Sequence, residues 1–157
     1  MSPVKSNINT FDDNLSRILA AMESALLYGM ILIERKVVEY FQKNNINVSG
    51  YLRNSITSEV RREAERIMGI TGTNTKYAIF VHQGTRPHWP PIQPIKRWVI
   101  RKLGISGKDV PKVTFLVRRK IAEKGTPAKP FFTFVFKQYQ NRIAQTVADR
   151  LKMQLAN

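Results

Sequence analysis

The sequence predicts an α+β fold, in which a small, mostly antiparallel sheet packs with a long N-terminal helix and a C-terminal helix. Apolar residues recur every three or four positions from Phe11 to Phe41 and again from Phe132 to Leu155, which is helical spacing. Between them, Thr57 to Arg62 and Arg66 to Gly72 read as two short strands joined through Glu63-Ala64-Glu65. With 157 residues, 43% of them apolar, the chain is long enough to bury roughly 70% of its unfolded surface. It is read as a single domain over 1–157, a long neutral helix over 1–45 followed by a basic α+β body over 46–157.

The first helix carries Leu15, Ile18, Leu19, Met22, Leu26, Ile33 and Val37 on its apolar stripe, with Thr10 placed to cap it and Asp12 and Asp13 suited to its positive end. Over Phe11 to Phe41 it would be about 45 Å long, more than a small domain needs, so one end is expected to project. Gly29 marks a bend or a close packing point. Asn44, Asn45, Asn47 and Ser49-Gly50 form a turn cluster, and Tyr51 to Ile56 fits a single helical turn. A hairpin is the simplest account of the next stretch, although helix would also account for Glu59 to Met68.

Lys76 to Gln83 slants toward helix and stops at Gly84. Three prolines within Pro87 to Pro91 exclude regular structure, which makes Arg86 to Pro91 a surface loop. Pro94 suits the first turn of a helix bearing Ile95, Trp98, Val99 and Leu103, closed by Gly104. Pro111 begins another, with Phe115, Leu116, Ile121 and Ala122 apolar and Gly125 as its stop.

Charge is distributed unevenly. The chain holds 26 Lys and Arg against 11 Asp and Glu, a formal net charge of +15. Residues 1–45 contain five bases and five acids, so the remaining 21 bases and six acids carry all of it. Such an excess repels itself in a compact state and suits nucleic acid or an acidic protein neighbour. From Lys96 to Lys124 ten bases face two acids; Arg97 and Arg101 are four apart with Lys102 beside them, Lys120 and Lys124 repeat that spacing, and Arg118 and Arg119 precede them. These seven are the candidate contacts to DNA or an acidic partner, by phosphate neutralisation without base reading. Trp98, Phe115, Phe132, Phe136 and Tyr139 sit at helical core positions, which leaves Trp89 as the aromatic expected to be exposed.

Nothing in the sequence assembles a catalytic constellation. Zero cysteines exclude a disulfide scaffold and thiol chemistry. His82 and His88 are six apart with no carboxylates beside them, so no metal site is expected. Capping explains Ser49 and Ser55 better than nucleophilic catalysis does, and Gly69, Gly72 and Gly84 are too widely spaced for a phosphate-cradling loop. The expectation is a non-enzyme without metal or cofactor. MSPVKSNINT lacks the apolar core of a signal peptide, and the uncharged stretch between Glu23 and Glu34 is too short for a bilayer span, so no membrane association is expected and the chain reads as soluble and made in the cytoplasm.

Five blocks in a fixed order carry a resemblance. They are Ser49-Gly50-Tyr51-Leu52-Arg53-Asn54-Ser55-Ile56; Tyr77 to His82 running into Gly84-Thr85; Pro90-Pro91-Ile92 leading to Trp98-Val99; Ile121 to Pro127; and Lys129-Pro130-Phe131-Phe132. In order and spacing the chain from about residue 49 onward resembles the gene-product-ten-like family of minor virion proteins of tailed bacteriophages, which are tail-completion or head–tail joining proteins. The resemblance implies a non-enzymatic α+β subunit forming a homo-oligomeric ring, most simply a hexamer, in the virion neck between the connector or stopper and the tail tube. It gives the positive charge a use against genomic double-stranded DNA in the lumen or against acidic neighbours. By the family's pattern Gly50, Leu52, Arg53, Ser55, Gly84, Thr85, Pro91, Trp98, Gly125, Pro130 and Phe131 define the fold, the glycines through left-handed turns. The subunit interface is then expected at Ile33, Val37 and Phe41 of the long helix and at Arg86, His88 and Trp89 of the proline loop, such that Asp at position 33 or 89 would spare the monomer and block assembly. The competing reading is a free, basic accessory protein that binds DNA without sequence preference.

Overall fold

The computed structural model describes residues 3–46, 50–64 and 66–156, the first seven of these by backbone alone. Among the described residues there are six helices and one two-stranded antiparallel sheet, in the order α1 (Pro3–Lys43), α2 (Tyr51–Asn54), β1 (Ile56–Arg62), β2 (Ile67–Thr73), α3 (Ala78–Gln83), α4 (Ile92–Leu103), α5 (Asp109–Lys124) and α6 (Phe131–Ala156). This is the α+β architecture the sequence predicts. Two compact units are present: one made of residues up to Glu39, Ile56–Thr73 and the chain from Val135, the other of Tyr40–Ser55 and Asn74–Phe134.

In the first unit α1 packs antiparallel against α6. Lys36 lies over the Tyr139 ring at 5.3 Å, Arg150 over Tyr28 at 4.4 Å, and the Gln154 side-chain amide donates to Ser24 Oγ at 3.0 Å. Gly29 is the close packing point: a side chain there would run into Val147 and come within 3.2 Å of Ile143 Cγ2. Ala25, Ile33 and Val37 of α1 and Val135 and Ile143 of α6 supply the buried apolar surface. The helix begins at Pro3, so Thr10 lies inside it rather than at its N-cap, and Asp12 and Asp13 fall beyond its first turn. Proline is tolerated at a helix start, where its missing N–H has no intrahelical partner to lose.

At 41 residues α1 is about 60 Å long. It also contains an 18-residue window of mean hydropathy 1.5 with no more than two charged residues, so by length and composition it meets the requirement for a membrane span, contrary to the sequence expectation. Core helices of soluble proteins meet the same requirement.

The hairpin forms as predicted, with Ile56 opposite Thr73 and Arg62 opposite Ile67. In β1, Ile56, Ser58 and Val60 are covered while Thr57, Glu59 and Arg61 face solvent, the period of two that rules out the helical alternative. Ser58 and Thr71, paired across the strands, both donate to the Met30 carbonyl of α1, at 3.1 and 3.3 Å. Arg66 closes the turn on Glu63 at 2.7 Å. Glu65, and Asn47 and Ser49 of the expected turn cluster, lie outside the described residues, while Asn45 turns the chain after α1 with φ 51°.

In the second unit Phe41 and Phe131 are the largest fully buried side chains and meet edge to face at 4.8 Å. The His82 ring stands on Phe131 at 4.9 Å, and Leu52, Ala78, Val99 and Val110 complete the core. Ser55 donates to the Leu52 carbonyl at 2.8 Å and accepts from Thr75 Oγ1 at 2.7 Å, so its hydroxyl ties off the end of α2. Helices α4 and α5 pack on each other, and α4 stops at Gly104 as expected.

Candidate functional site

Two Gly-Thr pairs separated by 41 positions close on each other. Thr85 N donates to the Thr126 carbonyl at 3.1 Å, Thr126 N to the Thr85 carbonyl at 3.2 Å, and the two hydroxyls are 2.9 Å apart. The bridge is antiparallel and isolated, belonging to no sheet. Gly84 (φ 75°, ψ −174°) and Gly125 (φ 70°, ψ −160°) flank it in a backbone region that is essentially glycine's alone. Space excludes a side chain as well. A Cβ at Gly84 would stand 2.5 Å from the Thr126 carbonyl oxygen, and one at Gly125 would fall on the Thr85 carbonyl oxygen.

The proline loop from Arg86 to Pro91 leaves this clasp and is held by Arg118 of α5. Arg118 Nε donates to the buried Pro90 carbonyl at 2.8 Å, and its guanidinium covers the Trp89 ring at 4.8 Å. Trp89 also meets Phe115 edge to face at 6.0 Å, and His88 N donates to the Ile121 carbonyl. Arg118 thus helps to hold the loop, a role beyond that of the surface cation the sequence suggests. Arg118→Ala is expected to cost about 1.5 to 3 kcal/mol, the range for a hydrogen bond to a charged group. Lysine should not restore the loss, since it lacks the planar group that bonds and stacks at once. Urea unfolding of both variants checks this, and a lysine variant as stable as the parent would contradict it.

Clasp, loop, α3 and the start of α4 enclose an open groove of about 1090 Å³. Phe80, Pro87, Ile95, Trp98 and Pro127 supply apolar lining, and among the described residues Arg86, Lys102 and Lys129 are its charged residues and no Asp or Glu lines it. Lys129 Nζ donates to the Asn44 carbonyl at 2.9 Å. Tyr77 also lines the groove, and partial burial raises its phenol above the ordinary value, opposed by a hydrogen bond with the Leu52 backbone. Sequence reasoning missed this groove, although most of its wall comes from the residue blocks that carry the family resemblance.

The remaining candidate residues divide clearly. Arg97, Arg101 and Lys102 on α4 and Arg119, Lys120 and Lys124 on α5 are exposed. Arg119 pairs with Glu123 at 3.6 Å, whereas the other five make no ion pair among the described residues. Leu52 and Phe131 are buried; Arg53, Ser55, Thr85 and Trp98 are half-buried; Pro91 and Pro130 are exposed; and Gly50, at φ 75°, precedes α2. Ile33, Val37 and Phe41 are not interface residues. They are 7%, 0% and 1% exposed, covered by the chain's own core, and so offer nothing to another subunit. Arg86, His88 and Trp89 do reach solvent. Trp89 is far from being the sole exposed aromatic, because Phe115 and Phe136, expected in the core, are 51% and 55% exposed. The histidines do not converge: His82 Nε2 lies 3.2 Å from Thr133 Oγ1, and His88 Nδ1 lies 2.9 Å from the Arg86 carbonyl. Among the described residues no three His, Asp or Glu side chains gather as a metal set.

No protein-family model matches the chain, and no curated protein or solved structure matches it either.

Proposed function

We propose that the protein is a structural virion subunit of a tailed bacteriophage that forms a ring at the head–tail interface, completes the tail and joins it to the connector. The observation that carries this reading is the convergence of the family-like blocks. Gly84-Thr85 with Pro90-Pro91, and Gly125-Thr126 with Lys129, belong to two stretches whose threonines are 41 positions apart, yet together they build one clasp, one loop and one groove wall in a single unit. The groove offers a surface for protein neighbours, and the exposed cations of α4 and α5 offer one for DNA or acidic subunits. Deleting the gene from a producing phage should yield filled heads and separate tails, and restoring the protein should rejoin them. Normal particles from the deletion would sink the reading.

The exposed cations also support a second reading, a free accessory protein that binds DNA nonspecifically. In either case DNA affinity should fall steeply with salt, each neutralised phosphate adding about 0.9 to the log–log slope. Replacing Arg97, Arg101 and Lys102 by Ala should reduce that slope by about 3 while leaving sequence preference absent. Filter binding across a salt series measures it, and an unchanged slope would remove α4 from the contact surface. Particles that join without the protein, together with tight binding to free DNA, would favour the accessory reading.

A further inference from the structure

The hairpin has one guarded edge and one unguarded edge. Among the described residues β2 pairs with β1 alone, so its other side ends the sheet. Glu63 N donates to the Arg66 carbonyl at 2.9 Å, in line with the strand register. Hydrogen-bonded pairs alternate along an antiparallel ladder, so they fall at Arg61 with Met68, Glu59 with Ile70 and Thr57 with Gly72, and the backbone N–H and C=O of Ile67, Gly69 and Thr71 point away from β1. Such an edge is a template for another strand, and proteins commonly blunt it with charge or proline. The first strand carries Glu59, Arg61 and Arg62, whereas Ile67 to Thr73 has neither charge nor proline. The long helix leaves this edge clear. Glu23 pairs with Arg62, Leu26 and Met30 lie against Gly69, and the Met30 carbonyl accepts from Ser58 and Thr71, so α1 runs along the underside of the hairpin rather than across its edge.

We propose that β2 of a second copy pairs antiparallel with β2 across a two-fold axis, joining two hairpins into one four-stranded sheet. The edge is complementary to itself. With the two-fold at Ile70 all seven residues of each strand overlap, and Gly69 of one copy exchanges hydrogen bonds with Thr71 of the other. On the face turned away from α1, Ile70 meets Ile70 and Met68 lies opposite Gly72. That pairing gives Gly72 a use the single chain does not supply, since a Cβ there meets nothing within 4 Å and a glycine inside a strand otherwise weakens it. Charge favours the same partner. Each chain carries +15, and β2 lets two copies meet without setting one charged side chain opposite another. Strand addition at an open edge is a recurrent recognition mode, with main-chain bonds giving affinity and alternate side chains giving specificity. At about 4.8 Å between strands the two hairpins are centred about 10 Å apart, which sets the two copies of α1 at an ordinary interhelical distance. The contact closes at two copies and does not depend on the ring of the preceding reading.

Sedimentation velocity of the full-length chain at about 0.3 M salt, where repulsion between distant charges is screened, should show a concentration-dependent equilibrium of monomer and dimer. Ile70 is half-buried on the outer face, so Ile70→Lys and Ile70→Glu should each keep the fold by circular dichroism. Either variant alone sets like charges opposite one another and should weaken dimerisation at least about 30-fold, the loss expected at an anchoring residue, while an equimolar mixture of the two should restore it. As the parent has no cysteine, disulfides report the register. Under oxidation Ile70→Cys chains should cross-link with one another, because opposed residues of a non-hydrogen-bonded pair lie about 4.5 Å apart at Cα. Met68→Cys chains alone should not, since the two copies of that position are about 13 Å apart, whereas Met68→Cys mixed with Gly72→Cys should. A parent that stays monomeric, a mixture of the charged variants that stays monomeric, or Met68→Cys chains that cross-link as readily as Ile70→Cys chains would overturn the pairing; the first outcome would leave the edge to a strand of a different protein. A parent that dimerises no better than Ile70→Lys would overturn it as well and would put the contact on another face.

Discussion

Ile33→Asp is expected to abolish the folded state rather than to interfere with assembly. Ile33 is 7% exposed, on the stretch of α1 whose neighbours Gly29 and Val37 are also buried. Losing the isoleucine side chain there costs about 2 to 5 kcal/mol. An aspartate adds the desolvation of an unpaired carboxylate, several kcal/mol more, or the work of protonating it. The sum approaches the whole stability of an ordinary domain, about 5 to 15 kcal/mol. The purified variant should show no cooperative thermal transition and should aggregate on gel filtration. A soluble variant that melts with the parent would mean that Ile33 is not in the core. Phe11→Asp, only 22 residues earlier on the same helix, should change stability by no more than about 0.5 kcal/mol, so the pair separates the covered half of the stripe from the open half.

Gly125→Ala is the other change expected to have a large effect. Its backbone conformation alone penalises a Cβ by about 1 to 3 kcal/mol. The methyl group would also displace the Thr85 carbonyl, which accepts a bridge hydrogen bond. A total of about 3 kcal/mol or more follows, and for a chain of this size each kcal/mol lowers Tm by about 2 to 4 °C. Calorimetry should therefore find a drop of about 6 to 12 °C or larger. Gly72→Ala is the matched control, since a Cβ there meets nothing within 4 Å and no unusual φ is involved. A Gly125→Ala protein as stable as the Gly72→Ala protein would show that the bridge contributes little.

Periodicity made the long elements legible. The spacing from Phe11 to Phe41 and from Phe132 to Leu155 reports helices because one face of each must be apolar wherever it packs. The hairpin was legible only as the simpler of two accounts, because Thr57 to Arg62 carries a single apolar side chain, Val60, and the alternation shows in burial rather than in residue type. What periodicity does not encode is the partner. Ile33, Val37 and Phe41 lie on a stripe continuous with Phe11 and Leu15, and nothing local distinguishes the turns that the chain covers itself from those it leaves open. Arg118 looked like any cation of its neighbourhood because the carbonyl it holds is 28 residues away. The clasp is the extreme case. Gly84 and Gly125 each read as a helix stop, which they are, but their pairing depends on a contact across 41 residues that no local pattern announces. The groove stayed hidden for that reason: its walls come from separate turns and helix starts, assembled only by the fold.

The Thr85–Thr126 bridge has a bearing on how this protein is able to vary. It pinches the chain at two points, so the proline loop, α4 and α5 form an excursion that leaves and re-enters at a single place. Lengthening such a closed excursion costs little, about 0.6 kcal/mol for each doubling of its length. The turn between its two helices, from Gly104 to Lys108, consists mostly of exposed residues. Insertions there, or substitutions confined to the exposed faces of α4 and α5, need not disturb the chain on either side of the pinch, whereas Val99 and Val110 are tied to the core. The most basic stretch of the molecule is thus mounted on a closed excursion whose outer faces can vary while its buried residues and the glycines at its base stay fixed.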